Sequence, residues 1–113
     1  MARAATTSDV FNAIAEPRRR EILSLLAEGE RTVNDLADSL HVRQPQASKH
    51  LRVLREVGLV SVRGEGQHRL YSLNGEGLKP VHDWVQTFER FWSESFDRLA
   101  EYLKELQTRE GDP

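Results

Sequence analysis

A chain of 113 residues is long enough for one domain with a modest core, small enough that a partner chain could supply the rest of it. It has no cysteine, which excludes disulfides, thiolate metal sites and a cysteine nucleophile together. The net charge of −2 argues against nucleic acid only until it is divided: residues 41–69 hold six Lys/Arg against two acids, and residues 74–113 hold five against nine.

Charge sorted this way points to a basic working surface and an acidic tail kept off it. The first residues lack the apolar core of a secretion signal, and no apolar run approaches the length of a membrane span. The expected location is the cytoplasm.

In chain order, residues 1–8 read as a flexible N-terminal tail. Ser8 is placed to cap a short helix over residues 9–16, with Val10, Phe11 and Ile14 on one face. Pro17 ends that helix and opens a second over residues 17–28, which buries Ile22, Leu25 and Leu26 and stops at Gly29. Its Arg18-Arg19-Arg20 cluster either touches phosphate or is a solvated helix start. Thr32-Val33-Asn34-Asp35 is a capping signature, a hydroxyl at the cap and an acid three residues on. The short helix it opens ends near Leu40, with Val33, Leu36, Ala37 and Leu40 as its apolar stripe.

His41-Val42-Arg43 then links to a helix over residues 43–58, the spacing of a helix-turn-helix across residues 32–57. At about 100° per residue, Ala47, Leu51 and Leu54 share the inward side, with His50 and Val57 at its edge. Ser48, Lys49 and Arg52 lie opposite, Gln44 and Gln46 stand at the first turn, and Glu56 is the only acid. Lysine and arginine neutralise phosphates while glutamine amides pair with adenine, so one face offers both affinity and selectivity. The plainer alternative is an amphipathic helix with a solvated basic face.

After Gly58 the period changes from 3.6 to 2. Leu59 to Arg63 alternates as a strand, Gly64-Glu65-Gly66 supplies a turn, and His68 to Leu73 returns, giving a β-hairpin over residues 59–73. Its tip presents Arg63, Gln67, His68 and Arg69, a surface for phosphates or a minor groove, or simply a polar hairpin end.

Lys79 precedes Pro80 and is expected to resist helical φ/ψ, which predicts one loose turn near Glu76 to Leu78 and then a long helix, 78–106 in all. Leu78, Val85, Trp92, Leu99 and Leu106 are spaced seven apart, with Val81, Phe88 and Tyr102 in companion positions. Some 27 helical residues span about 40 Å, against a radius of gyration of about 13 Å for a compact chain of this size. The economical cover for that stripe is the same helix of a second copy, helped by Phe11; the alternative is a helix wrapped over its own core. Residues 107–113 read as a flexible tail.

The order of elements resembles a winged helix-turn-helix, mainly α with a β-hairpin wing, and the residues resemble the ArsR-type family of bacterial transcriptional repressors. The likeness spans roughly residues 9–106, read as one domain. It is carried by Pro17-Arg18-Arg19-Arg20-Glu21-Ile22-Leu23, Asp35-Leu36-Ala37, Gln44-Pro45 with Ser48-Lys49-His50-Leu51, Leu54-Arg55-Glu56-Val57-Gly58-Leu59-Val60 and Tyr71-Ser72-Leu73. The resemblance implies a homodimer that binds a palindromic operator in double-stranded DNA and blocks transcription. The expected DNA-binding residues are Arg43, Gln44, Gln46, Ser48, Lys49, His50, Arg52, Arg63, His68 and Arg69. The expected dimer interface is Phe11, Val81, Val85, Phe88, Trp92 and Leu99.

Departures matter too. Arg43 stands where the family often has a capping Ser or Thr, a loss worth about 1 kcal/mol unless Arg43 reaches a phosphate instead. Family metal sensors carry Cys-x-Cys where this chain has Thr32 and Asn34; at the second family metal site it has His82 and Asp83 adjacent, then Ser93 and Phe96 where later ligands would fall. No metal and no cofactor are therefore expected. Control falls to the amount of protein, to an effector at the dimer helices or to another protein.

Two other classes of function fit the sequence less well. A winged helix used as a protein–protein module would dock an acidic partner on the basic face, but would not require glutamines beside the cations. An enzyme is disfavoured because the chain has no Gly-rich phosphate loop, no metal-ligand spacing and no nucleophile with its base.

Overall fold

The computed structural model describes residues 9–111; the expected tail over residues 1–8 and the Ser8 cap lie outside them. Asp9 caps α1 (Val10–Ile14), its carboxylate accepting the Phe11 N–H at 2.6 Å. The helix ends two residues before the expected Glu16, because Glu16 precedes a proline and is held extended. Glu16 instead caps α2 (Pro17–Leu26), accepting the Arg18 N–H at 3.2 Å. α2 buries Ile22, Leu23 and Leu26, whereas Leu25 is only half-buried.

Between α2 and the next helix lies β1 (Arg31–Thr32), a strand that the sequence reading did not contain. Thr32 then opens α3 (Val33–Leu40): its hydroxyl accepts the Asp35 N–H at 3.1 Å, and the Asp35 carboxylate accepts the Thr32 N–H at 3.4 Å. α3 stops in a Schellman arrangement, with Val42 N–H on the Ala37 carbonyl and His41 N–H on that of Asp38. That motif needs a left-handed residue, and His41 takes it at φ 57°, so the link to α4 (Gln44–Glu56) turns in three residues.

The wing is β2 (Val60–Glu65) with β3 (His68–Leu73), and β1 adds on the far edge of β3, giving an antiparallel sheet of order β1-β3-β2. Pairing continues to Glu65 opposite His68, so the turn is Gly66-Gln67 rather than the expected 64–66. Gly66 sits at φ +62°, the positive φ that a two-residue hairpin turn demands at its first position. One core joins these elements, with Ala13, Ile22, Leu26, Leu36, Leu51, Leu54, Leu59 and Tyr71 among its buried members. Truncating any of the fully buried leucines to alanine costs about 2–5 kcal/mol. The expected class, mainly α with a wing, holds with one strand added.

The described residues divide into two units between Val81 and His82. A 3₁₀ turn at Gly75–Leu78 leads into α5 (Lys79–Gln86), and Lys79 is helical at φ −54°, ψ −43°, held by its N–H bond to the Glu76 carbonyl. The expected single helix is two: α6 (Glu89–Gly111) begins after a break at residues 87–88. There the Thr87 hydroxyl donates to the Trp84 carbonyl at 2.8 Å, and i to i+3 backbone bonds replace the α-helical pattern. α6 also runs through residues 107–111, which were expected to be tail. No helix of the described residues is long and apolar enough to cross a membrane.

Candidate nucleic-acid interface

α4 is fixed from behind. Ala47, Leu51 and Leu54 are buried, which leaves Gln44, Gln46, Lys49 and Arg52 exposed and Ser48 half-buried. Arg52 lies 3.4 Å from Glu56 one turn on, an exposed ion pair that a phosphate can replace at small cost. The guanidinium of Arg43 and the ammonium of Lys49 have no ion pair or hydrogen bond among the described residues.

The missing cap at Arg43 is partly made good from inside the helix. Arg43 offers no side-chain acceptor, but its backbone N–H donates to Gln46 Oε1 at 3.2 Å, and Pro45 has no N–H to satisfy. Gln46 therefore has a structural task beside any reading of bases.

His50 is not presented like its neighbours. It is half-buried, and the charges acting on it include Arg19, Glu16 and Arg18 around the start of α2. Burial lowers its pKa below the ordinary histidine value, with Arg19 adding to the effect, so the ring is neutral at pH 7. It is less exposed than Lys49 and Arg52 on the same helix.

On the wing, His68 and Arg69 are exposed beside the turn. Arg63 is also exposed but is spoken for. Its Nε and Nη2 donate to the two carboxylate oxygens of Glu30, each at 3.0 Å, and its Nη1 donates to Glu65 at 2.6 Å. The guanidinium hydrogen bond lowers the Glu30 pKa, and the two carboxylates raise that of Arg63. In the free chain Arg63 thus staples β2 to the loop before β1.

Three more arginines are consumed by helix ends. Arg20 Nη1 donates to the Ile14 carbonyl at 2.7 Å, Arg31 Nε to that of Leu25 at 3.2 Å, and Arg18 Nη1 to that of Leu40 at 2.7 Å. Each cation meets the negative end of α1, α2 or α3, where carbonyls lack partners. Arg18 and Arg20 of the cluster are thus exposed but bonded to carbonyls. Arg19 is half-buried, its Nε without a partner among the described residues.

The family's metal positions hold other chemistry. Thr32 is spent on the α3 cap, Asn34 is exposed, and His82 Nδ1 lies 3.5 Å from Asp83 on α5. Among the described residues no group of three or more potential ligands converges. Of the expected dimer residues, Phe11, Phe88, Trp92 and Leu99 are exposed, and Val81 and Val85 half-buried. Sequence reasoning missed Glu30, Asn74 and Gly77, whose roles depend on neighbours far along the chain.

Residues 16–62 match the family described as bacterial regulatory protein, arsR family. The chain is 37% identical over 81 residues to the transcriptional repressor SdpR of Bacillus subtilis, covering 72% of this chain and 90% of that one. It is 34% identical over 93 residues to the HTH-type transcriptional regulator Rv2034 of Mycobacterium tuberculosis, covering 82% and 84%. Among solved structures it is similar to a homodimeric winged helix-turn-helix DNA-binding domain from Mycobacterium bovis, with a TM-score of 0.61 and 33% identity over 80% of this chain and 91% of that one. A helix-turn-helix backed by a buried core, a β-hairpin wing that follows it and likenesses that run through both have one explanation: the chain belongs to the arsR family of bacterial regulatory proteins and is a winged helix-turn-helix transcriptional regulator.

Proposed function

We propose that the protein is a homodimeric repressor that reads a twofold-symmetric operator in double-stranded DNA through α4, with His68 and Arg69 of the wing on the flanking backbone. The observation that carries this reading is the outward face of α4, where Gln44, Arg43 and Lys49 are exposed and uncommitted while other arginines are bound to helix ends and carboxylates. Two copies related by a twofold axis meet half-sites about one helical turn, roughly 34 Å, apart. A regulator that reads the chromosome works in the cytoplasm.

The second copy is the proposed cover for the C-terminal helices. α6 alone exposes Phe91, Trp92, Phe96, Leu99, Tyr102 and Leu103, too much apolar surface for a helix that stays in water. Phe11 on α1 offers a further apolar side chain. The homodimeric Mycobacterium bovis domain supports the same stoichiometry.

Repression on this reading is not relieved by a metal ion, since the chain has no thiolate and Thr32 is committed to a cap. Site selection from a random duplex library, followed by titration of zinc, nickel, copper and cobalt into the complex, tests all three parts. Enrichment of a palindrome and retention of the complex at micromolar metal are expected. Release abolished by His82→Ala would overturn the metal claim, and an enriched site without symmetry would overturn the dimer.

A further inference from the structure

The start of α4 is capped by a residue that also faces outward. A backbone N–H can only donate, so the end of the Gln46 amide that meets Arg43 N at 3.2 Å is its carbonyl oxygen. The NH2 end diverges from the cap, the residue is exposed, and nothing among the described residues accepts from that NH2. Gln44, two residues earlier on the same turn, has both ends of its amide uncommitted among the described residues.

That difference matters because glutamine reads adenine with both ends at once, giving a hydrogen to N7 and taking one from N6. With its oxygen turned back onto the helix start, Gln46 presents only its donor end outward. Acceptors in the major groove are carried by guanine at N7 and O6, by thymine at O4 and by adenine at N7, whereas cytosine offers only its N4 donor.

Resting on the reading of α4 as the recognition helix, we propose that Gln46 is a one-ended specificity residue: its NH2 selects any base with a major-groove acceptor and rejects cytosine, while Gln44 makes the two-ended adenine contact. Cap and readout are then one device. The hydrogen bond that holds the first turn of the helix also fixes which end of the amide the DNA meets.

The experiment is site selection from a random-sequence duplex library with the protein and its Gln46→Glu, Gln46→Met and Gln44→Ala variants. Preferences are read as ratios between bases at each position, so that uniform repulsion by an added carboxylate cancels. Gln46→Glu keeps an acceptor for the Arg43 N–H but exchanges the outward donor for an acceptor. In the parent protein one position per half-site should disfavour cytosine about fivefold to tenfold while accepting more than one other base. That position should turn toward cytosine in Gln46→Glu, lose its preference in Gln46→Met and stay as it was in Gln44→Ala, which instead flattens an adenine. Thermal melting should leave Gln46→Glu near the parent and lower Gln46→Met, separating the cap from the readout.

A position that is strictly adenine in the parent and depends on Gln46 would overturn the proposal, since it needs both ends of the amide. An unchanged motif for Gln46→Glu would do the same and leave Gln46 as a cap alone. Failure of the underlying reading looks different: the parent enriches no motif, or one that no α4 substitution alters, and the proposal falls with it.

Discussion

The side-chain amide of Asn74 donates to the carbonyl of Gly58 at 2.8 Å, joining the segment after the wing to the corner where α4 turns into β2. The Asn74 backbone N–H also bonds the Leu59 carbonyl, again at 2.8 Å, so the same residue holds both sides of that corner. Gly58 turns it at φ +81°, and Gly77 packs so closely that an added Cβ would stand 2.5 Å from the Gly58 oxygen. Residues outside α4 and the wing thus brace the corner between them. Gly77→Ala should destabilise the fold by about 1–3 kcal/mol, because the obstruction is backbone and cannot swing aside. Asn74→Ala should cost about 1 kcal/mol. Chemical denaturation measures both; a neutral Gly77→Ala would mean that the corner yields.

Arg63 and Lys49 are both basic and exposed, yet they should behave differently on DNA. Lys49 is uncommitted among the described residues, so Lys49→Ala should weaken binding to all sequences and lower the slope of log K against log salt by about 1. Arg63 is held by Glu30 and Glu65, and Arg63→Ala should leave that slope unchanged while loosening the wing. Fluorescence anisotropy across a salt series reads both slopes. Equal slope losses would return Arg63 to the phosphate contacts.

The same staple has a pH dependence with a definite sign. Arg63 lowers the Glu30 pKa below its ordinary value of 4.5 in the folded protein, so the folded state holds its proton less tightly than the unfolded chain. The contribution is present above the unfolded value and is lost as pH falls through the lowered one. His50 acts in a higher window: burial lowers its pKa below 6.5, so its contribution is complete above 6.5 and declines as the medium becomes more acidic. Melting temperatures should fall from pH 7 toward pH 5 in the parent and fall less in His50→Gln. A parallel decline in the two proteins would assign the loss to other groups.

What the sequence shows of this fold follows from how far apart the decisive residues lie. Thr32 and Asp35 announce a helix start because the capping bonds span three residues, and Ala47, Leu51 and Leu54 announce a buried face because their spacing repeats. β1 is invisible since two residues have no period, and its evidence is the pairing with Tyr71 and Leu70 far downstream. The hairpin turn is ambiguous in the sequence because Gly64 and Gly66 both suit a turn, and only the register of Glu65 against His68 chooses between them. The engagement of Arg63 is hidden in the sequence because its partner Glu30 is 33 positions away. The break at residues 87–88 is silent in the sequence since a threonine hydroxyl on a helix carbonyl leaves no mark in the apolar pattern.

Trp92 puts the proposed dimer at risk most directly. It is 46% exposed on α6, Leu99 is 51% exposed and Phe88, at the break before the helix, 40%, so a single chain leaves large apolar side chains in water. Association with a second copy removes that surface and makes folding depend on protein concentration. Trp92→Glu places a charge where an apolar contact is expected, and an unpaired carboxylate resists burial. Sedimentation should show the parent as a dimer and Trp92→Glu shifted toward monomer, with its melting temperature no longer rising with concentration. DNA binding should weaken in step, because one subunit reaches only one half-site. Glu101→Gln, an exposed change on the same helix that adds no charge, controls for effects on the helix itself. A Trp92→Glu protein that stays dimeric with unchanged DNA affinity would place the interface elsewhere, and Phe11→Glu on α1 is then the substitution to make.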